Sequence, residues 1–461
     1  MANIKFGTDG WRAILDKDFT EDNVKTVIKA IAKYVYDNFG IDKKIIIGYD
    51  PRYKADYFAK LSANQLAEYG FNVLISDKIV PTPILAYNAK HMNASAIMFT
   101  ASHNPPEYLG IKYIPDYAGP ATSDITDEII NNLQCKFDIK FSGKIEEQDL
   151  SDSYFSHVEK LIDFKIIKTL KTDIIFDGLY SASIGYFDKI LDIHNIKYKT
   201  IHMYHDTNFG GGMPDPKPKF LKDLVKEVQL STNSIGLAND GDADRFGVIN
   251  ENGEYVSPNE IIAIILLHLK KNKNLSGPIV KTVGASLLLD KIAEKLNVEI
   301  IETPVGFKHV GEAMRKYNPI IGGEESGGLS IQGHIPEKDG LLANLLILEA
   351  MAYENKQLIQ LQQDLLKIAG CEFYNDRIDL KLNNFDDIAP IIKQYQTKTN
   401  INNYKIKNIS TKDGVKLYLN DNKSWILVRP SGTEPLLRIY FESDSIEKLE
   451  NLKNTIKKEL N

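Results

Sequence analysis

Two groupings in this chain are the most able to do chemistry. One is a serine beside a histidine, Thr100-Ala101-Ser102-His103-Asn104-Pro105; the other is three carboxylates at alternate positions, Asp240-Gly-Asp242-Ala-Asp244-Arg245. The serine follows the apolar run Ala94–Phe99, where a buried strand opens into a loop. Reacting groups of α/β proteins gather at such places. Ser102 is therefore the candidate covalent centre, although a Ser-His pair before Asn-Pro, taken alone, is more often simple turn chemistry. Hard cations such as Mg²⁺ and Ca²⁺ want oxygen ligands, and a curved loop can point all three aspartates inward. Left unpaired they would repel one another, so a bound cation is the simplest account of them. Asp240, Asp242, Asp244 and Glu251 also fit the acidic positions of an EF-hand loop, but its glycine position holds Arg245. The flanks Ile235–Ala238 and Phe246–Ile249 read as strands, which excludes that motif.

Three further loops carry binding groups. Arg429-Pro-Ser431-Gly432-Thr433-Glu-Pro435 brings one guanidinium, two hydroxyls and a glycine turn between two expected strands, and Arg438 follows closely. Such groups wrap a phosphate, the arginine fork giving bidentate contact; an ordinary β-turn with an incidental arginine is the other reading. Gly323-Glu324-Glu325-Ser326-Gly327-Gly328 offers acceptors among glycines that admit a ligand close to the backbone, which suits a polyhydroxyl compound such as a sugar. Phe6-Gly-Thr-Asp-Gly-Trp-Arg12 is a glycine-punctuated turn whose Arg12 could face the same cleft.

A pattern of elements recurs that would position these loops. Lys44–Gly48 reads as a strand, Tyr57–Tyr69 as a helix, then Phe71–Ile75 and Ala94–Phe99 as strands. The order restarts at Thr172–Asp177, with helix Ile184–Ile193 and strands Tyr198–Tyr204 and Ser234–Ala238. It restarts again at Gly277–Val283, with helix Ser286–Leu296 and strands Val298–Thr303 and Pro319–Gly322. Alternating strands and amphipathic helices predict three α/β domains with parallel or mixed sheets. In each unit the last strand runs into one of the polar loops, so the three loops could converge on one cleft. After the helices Gly340–Ala352 and Leu358–Ile368 the pattern changes to strands Arg377–Leu382, Gly414–Leu419, Ser424–Pro430 and Leu436–Glu442 and a closing helix Ser445–Leu460, a small α+β domain. The expected boundaries are 1–150, 151–254, 255–369 and 370–461.

Bulk properties narrow the function classes. A chain of 461 residues exceeds one ordinary core. Its 43% hydrophobic and 26% charged content is that of a soluble globular protein. A net charge of -6 gives no basic face for nucleic acid. Cys135 and Cys371 have neither disulfide-framework nor metal-ligand spacing, which suits a reducing cytoplasm. No signal peptide is evident at Met1–Phe6 and no apolar run is long enough to span a membrane, so Ile261–Leu269 and Leu341–Met351 are expected to be buried helices. The oligomeric state is left open.

Taken in this order, the loops resemble the α-D-phosphohexomutase superfamily. They match its Phe-Gly-Thr-Asp-Gly opening, Thr-Ala-Ser-His-Asn-Pro phosphoserine loop, Asp-Gly-Asp-Ala-Asp-Arg metal loop, Gly-Glu-x-Ser-Gly sugar loop and Arg-x-Ser-Gly-Thr-x-Pro phosphate loop, from Lys5 to about Glu442. The resemblance implies four domains around a central cleft. It implies that Ser102 carries a phosphoryl group and that Asp240, Asp242 and Asp244 hold Mg²⁺, with a phosphoserine oxygen as a further ligand. His103, Lys112, Arg12 and Arg245 would surround the transferring phosphoryl. Glu324, Ser326, Gly306 and Lys338 would meet the sugar, and Arg429, Ser431, Gly432, Thr433 and Arg438 the non-reacting phosphate.

The activity implied is interconversion of glucose 1-phosphate and glucose 6-phosphate through a bound hexose 1,6-bisphosphate, which also acts as activator. Mannose phosphates are possible further substrates. Glu325 and Gly328 replace the Met or Gln and the His of mannose- and glucosamine-type members, and Gly333–Gly340 resembles the glucose-type branch. The missing histidine leaves its proton-transfer role to His334 or Lys112. A phosphoglucosamine mutase is the alternative within the family, and a Mg²⁺-dependent sugar-phosphate phosphatase the alternative outside it.

Overall fold

The computed structural model describes residues 4–7, 9–139, 141–431 and 435–460. The first sheet has six strands in the order Trp11–Ile14, Tyr108–Ile114, Ser95–Phe99, Ile45–Tyr49, Val73–Ser76, Ile145–Gln148. Ile45–Tyr49 runs parallel to both Val73–Ser76 and Ser95–Phe99, and Tyr108–Ile114 returns antiparallel along Ser95–Phe99. The second sheet repeats this arrangement. Asp173–Asp177 lies between Tyr198–Ile201 and Ser234–Asn239, both parallel to it, and Phe246–Ile249 returns antiparallel. In the third sheet Ile279–Thr282 lies between Ile300–Thr303 and Ile321–Gly323, and Leu329–Ile331 returns.

Parallel neighbours need a crossover, and helices supply it in each unit. A central parallel strand is covered on both faces, which is why Ile45, Ile46 and Ile47 are all buried. The three hairpins that close the pattern have their loops at residues 100–107, 240–245 and 324–328. The polar motifs thus occupy one topological position three times, at the carboxyl ends of third strands.

Helix Glu21–Phe39 illustrates the local logic. Thr20 caps its N-terminus by accepting from Asn23 N, and Val24, Val27, Ile28, Ile31 and Val35 form its buried stripe. Helix Gly340–Glu354 is different, because every residue from Leu341 to Ala352 is buried. The Asp339 carboxylate accepts from Leu342 N at 2.9 Å to start it. It packs on the second and third sheets, and one apolar core runs from Ile46 through all three units to Leu365. Truncating its middle, Leu346→Ala, should cost about 2–5 kcal/mol, read as a lower denaturant midpoint.

The C-terminal unit is one antiparallel sheet, in the order Tyr374–Lys381, Leu436–Ser443, Trp425–Pro430, Val415–Leu419, Tyr404–Ser410, Asn400–Ile401. Helices Ile388–Gln396 and Ile446–Leu460 accompany it, and it has its own core. Val283 packs with Trp425, Leu427 and Tyr440 and joins this unit to the third.

The chain is thus three related α/β units with mixed sheets and a C-terminal α+β unit. Details differ from the sequence reading. The helix expected from Ile184 begins at Phe187, and the strand expected to Tyr204 ends at Ile201. Among the described residues no helix is long and apolar enough to cross a membrane.

Candidate active site

The serine loop is delivered by two strands. Ser95–Phe99 leads into it, and Tyr108–Ile114 leads out to pair with Trp11–Ile14, setting Arg12 opposite Gly110. A Cβ on Gly110 would lie 2.5 Å from Trp11 O and 2.7 Å from Thr100 O, so only glycine lets these backbones approach. Arg12 consequently reaches the loop, its guanidinium donating to Asn104 Oδ1 at 2.6 Å. Ser102 is buried with φ of 52°, in the left-handed region. Its hydroxyl donates to Asp240 Oδ2 at 2.7 Å, across 138 positions of sequence, and lies 3.3 Å from His103 Nδ1. The first two loops therefore meet at this serine.

Asp240, Asp242 and Asp244 are fully buried and present oxygens within 4.8 Å of one another. Asp240 Oδ1 accepts from Arg245 N at 2.9 Å. Asp242 Oδ2 accepts from Thr82 Oγ1 at 2.6 Å and from Lys112 Nζ at 2.7 Å. Lys112 also reaches Asp244 Oδ2 and Asp9 Oδ2, each at 2.9 Å. Among the described residues, Asp242 Oδ1 and Asp244 Oδ1 are buried without a hydrogen-bond partner, and Arg245 Nε lies 3.9 Å from the latter. Buried carboxylate oxygens without partners are costly; two of them facing a third carboxylate fit a hard divalent cation.

Burial, with Asp244 and Asp242 beside it, raises the Asp240 carboxyl well above its usual range. Burial would lift Asp242 too, but Lys112 and Thr82 outweigh it and hold that carboxyl at about 2. Burial opposes the charge on Lys112, yet Asp242, Asp244 and Asp9 keep it a firm cation. Burial lowers His103, and Arg245, Arg12 and Lys217 lower it further, so its imidazole is neutral at pH 7.

The third unit's loop lies beside these groups. Buried Glu324 accepts from Gly306 N at 3.0 Å, tying the loop at residues 324–328 to the start of helix Phe307–Tyr317. Glu325 accepts from Thr282 Oγ1 at 2.6 Å, and Ser326 is half-buried. Lys338 Nζ lies 3.1 Å from Asp244 Oδ2 and 3.4 Å from Asp9 Oδ2, placing it on the aspartate loop as well. A Cβ on Gly328 would lie 2.5 Å from Lys338 Cδ, so a side chain at 328 would displace that lysine.

In the C-terminal unit Arg429 and Arg438 stand directly opposite on antiparallel strands. Like charges so placed repel unless an anion joins them, and Arg438 Nε is buried without a partner among the described residues. Arg429 Nε donates to Asp413 Oδ2 at 2.6 Å, an oxygen that also accepts from Val305 N at 2.9 Å. Ser431 is buried and its N donates to Leu436 O. Gly432 and Thr433 lie outside the described residues.

One expectation needs correction. His334 is not free for proton transfer: its Nε2 meets Asp339 Oδ2 at 2.9 Å and its Nδ1 meets His157 Nε2 at 3.0 Å. Lys112, the other candidate, is a locked cation rather than a base. Sequence reasoning also passed over Asp9, which pairs with both Lys112 and Lys338, and Thr82 on Asp242. Asp9 sits inside the quoted Phe6–Arg12 turn, so its signal was present; Thr82 lies in an ordinary Pro-Thr-Pro helix start.

Comparison with known proteins agrees with this geometry. Models of phosphoglucomutase/phosphomannomutase alpha/beta/alpha domains I, II and III match residues 3–138, 152–253 and 257–368, and that of the C-terminal domain matches 385–459. A phosphoglucosamine/phosphogalactosamine mutase of Sulfurisphaera tokodaii is 30% identical over 98% of each chain. A phosphoglucomutase/phosphomannomutase of Thermococcus kodakarensis is 28% identical, covering 96% of this chain and 95% of its own. A solved protein of Thermus thermophilus, provisionally named a phosphomannomutase, superposes with a TM-score of 0.88 at 30% identity over 100% of this chain and 99% of its own. The match runs through all four units in order, and the chain belongs to the phosphoglucomutase/phosphomannomutase family, enzymes that move a phosphoryl group within a hexose phosphate.

Proposed function

We propose that this phosphohexomutase interconverts glucose 1-phosphate and glucose 6-phosphate, using Ser102 as the phosphoryl carrier. The observation that carries this reading is Ser102 Oγ at 2.7 Å from Asp240, inside a carboxylate cluster with two oxygens that lack a hydrogen bond among the described residues. Asp240, Asp242 and Asp244, with a phosphoserine oxygen, would hold Mg²⁺, which when bound supplies charge neutralisation at the phosphoryl oxygens. A phosphoserine is close to a dianion at neutral pH and needs cations around it. Arg12, Arg245 and Lys112 supply them, and neutral His103 can hydrogen-bond the phosphoryl.

In the first transfer the free hydroxyl of a hexose phosphate attacks the phosphorus of phospho-Ser102. The new oxygen–phosphorus bond forms, the Oγ–phosphorus bond breaks, and the hydroxyl proton ends on Ser102 Oγ. The hexose 1,6-bisphosphate then turns around. Ser102 Oγ attacks the other phosphoryl group, and its proton passes to the departing sugar oxygen. Atoms and charge balance over the cycle, and only bisphosphate is needed to prime it. Glu324, Ser326 and Gly306 would orient the sugar, while Arg429, Ser431, Gly432, Thr433 and Arg438 clamp the distal phosphate. Exclusion of water keeps the phosphoryl from hydrolysis.

Gly328 making room for Lys338, with Glu325 held by Thr282, supports a glucose-type sugar site. The naming of relatives such as that of Sulfurisphaera tokodaii supports a second reading, a phosphoglucosamine mutase. A coupled assay with glucose, mannose and glucosamine phosphates, primed with bisphosphate and Mg²⁺, separates them. The highest kcat/KM on glucose 1-phosphate is expected; a clear preference for the amino sugar would replace the first reading with the second. Release of inorganic phosphate in place of isomer would instead indicate a phosphatase.

A pH effect should accompany sugar binding. Burial, with Glu325 beside it, pushes the Glu324 carboxyl up to about 7. Its ionised form is the better acceptor for sugar hydroxyls, so KM should rise as pH falls through that value. Glu324→Gln, uncharged throughout, should raise KM and remove the inflection. An inflection that survives this substitution would assign it elsewhere.

A further inference from the structure

Strand Ile45–Tyr49 ends in Asp50-Pro51-Arg52, at the carboxyl end of the first unit's central strand. The Arg52 side chain is entirely buried. Its Nη1 donates to Pro105 O at 2.8 Å and Tyr108 O at 3.0 Å; its Nη2 donates to Ser102 O and Asn104 O, both at 2.6 Å. One guanidinium therefore gathers three carbonyls of the serine loop and that of Tyr108, where the next strand begins. Asp50 braces it, lying 3.2 Å from Nε and accepting from Arg52 N at 3.0 Å. The same carboxylate accepts from Thr100 Oγ1 at 2.5 Å, and that hydroxyl accepts from Ser102 N at 2.8 Å. Both backbone polar groups of Ser102 are thus held by this assembly. The Phe209 ring of the second unit lies 5.0 Å from the guanidinium.

A serine at φ of 52° occupies a left-handed conformation that side chains other than glycine's rarely adopt, and such residues persist only where their surroundings over-determine them. That conformation aims Oγ at Asp240. A planar fork with five donors can serve four carbonyls at once; an ammonium with three cannot. We propose that Arg52 is a positioning residue for phosphoryl transfer, imposing the left-handed backbone of Ser102 that aims its Oγ at the metal loop. This role rests on the reading of Ser102 as phosphoryl carrier. Among the described residues the Arg52 guanidinium meets backbone carbonyls, Asp50 and the Phe209 ring, none of them a group proposed to bind substrate, so its loss should move kcat and spare substrate binding.

The test compares the full-length wild type with Arg52→Lys and Arg52→Gln, using glucose 1-phosphate, bisphosphate primer and Mg²⁺, with thermal melts of each. Displacements near 1 Å cost about 100-fold in rate; kcat should fall by that order in both variants while KM stays within about threefold. Thr100→Val, which removes the acceptor for Ser102 N–H, should lower kcat about tenfold at similar KM, and Thr100→Ser should recover most of that loss. Wild-type kcat in either Arg52 variant, or kcat and KM worsening together with the melt, would overturn the positioning role. Should the Arg52 variants not fold, Thr100→Val with wild-type kcat would overturn it. A wild-type chain without mutase turnover would overturn the carrier reading along with it; retained wild-type turnover beside an unaffected Arg52 variant overturns the positioning role alone.

Discussion

Ser102→Ala is expected to lower mutase turnover by roughly 10⁴-fold or more, the scale seen when a covalent nucleophile is removed. The substitution deletes one oxygen and keeps the backbone. Alanine meets the same left-handed strain as serine, so the melting temperature should change little. Among the described residues, the side-chain partners lost are the 2.7 Å bond to Asp240 Oδ2 and the longer contact to His103 Nδ1. The loops proposed to bind substrate are others, so KM should remain within a few-fold of wild type. Turnover that survives Ser102→Ala would mean direct transfer between sugars or attack by water, and either would remove the carrier role.

The second large effect concerns the aspartates. Chelation of divalent cations should lower activity by about 10³-fold, since a Lewis acid at a transferring phosphoryl supplies several kcal/mol. Added Mg²⁺ should restore it. Binding also has a thermodynamic readout, because a ligand at 100 times its Kd stabilises the native state by about 2.7 kcal/mol. The wild-type melt should therefore rise with Mg²⁺. Asp242→Asn should lose both the activity and the Mg²⁺-dependent rise. It also removes one of three carboxylates around Lys112, leaving Asp244 and Asp9 to hold that ammonium. An Asp242→Asn protein that still melts higher with Mg²⁺ would place the cation elsewhere.

Much of this site was legible in the sequence because its groups are contiguous. Ser102 with His103, the three aspartates and the Glu324–Ser326 loop each form a compact signal. The repeat of strands placed each loop after a third strand, where the structure has it. The strand Ile145–Gln148 escaped because it is a polar edge strand, exposed at all four positions, with no apolar pattern to reveal it. Tyr404–Ser410 escaped because its alternation of apolar residues is broken by a register shift between Ile406 and Asn408 and none of its residues is fully buried. The helix predicted from Ile184 starts later because Ser181 and Ser183 bond each other and form a turn first. Arg52 left no readable mark: Asp-Pro-Arg after a strand is ordinary turn composition, and its four carbonyl partners are backbone groups that sequence cannot point to. His334 misled because a histidine near a cleft motif gives no hint that both ring nitrogens are engaged by Asp339 and His157.

The most direct measurement is mass spectrometry of the peptide bearing Ser102, before and after a chase. Enzyme exposed to glucose 1,6-bisphosphate and Mg²⁺ should carry one phosphoryl group on Ser102. Adding hexose monophosphate should remove that group into bisphosphate, without release of inorganic phosphate, at a rate no slower than turnover. Phosphorylation at another residue, or its discharge as inorganic phosphate, would contradict the account.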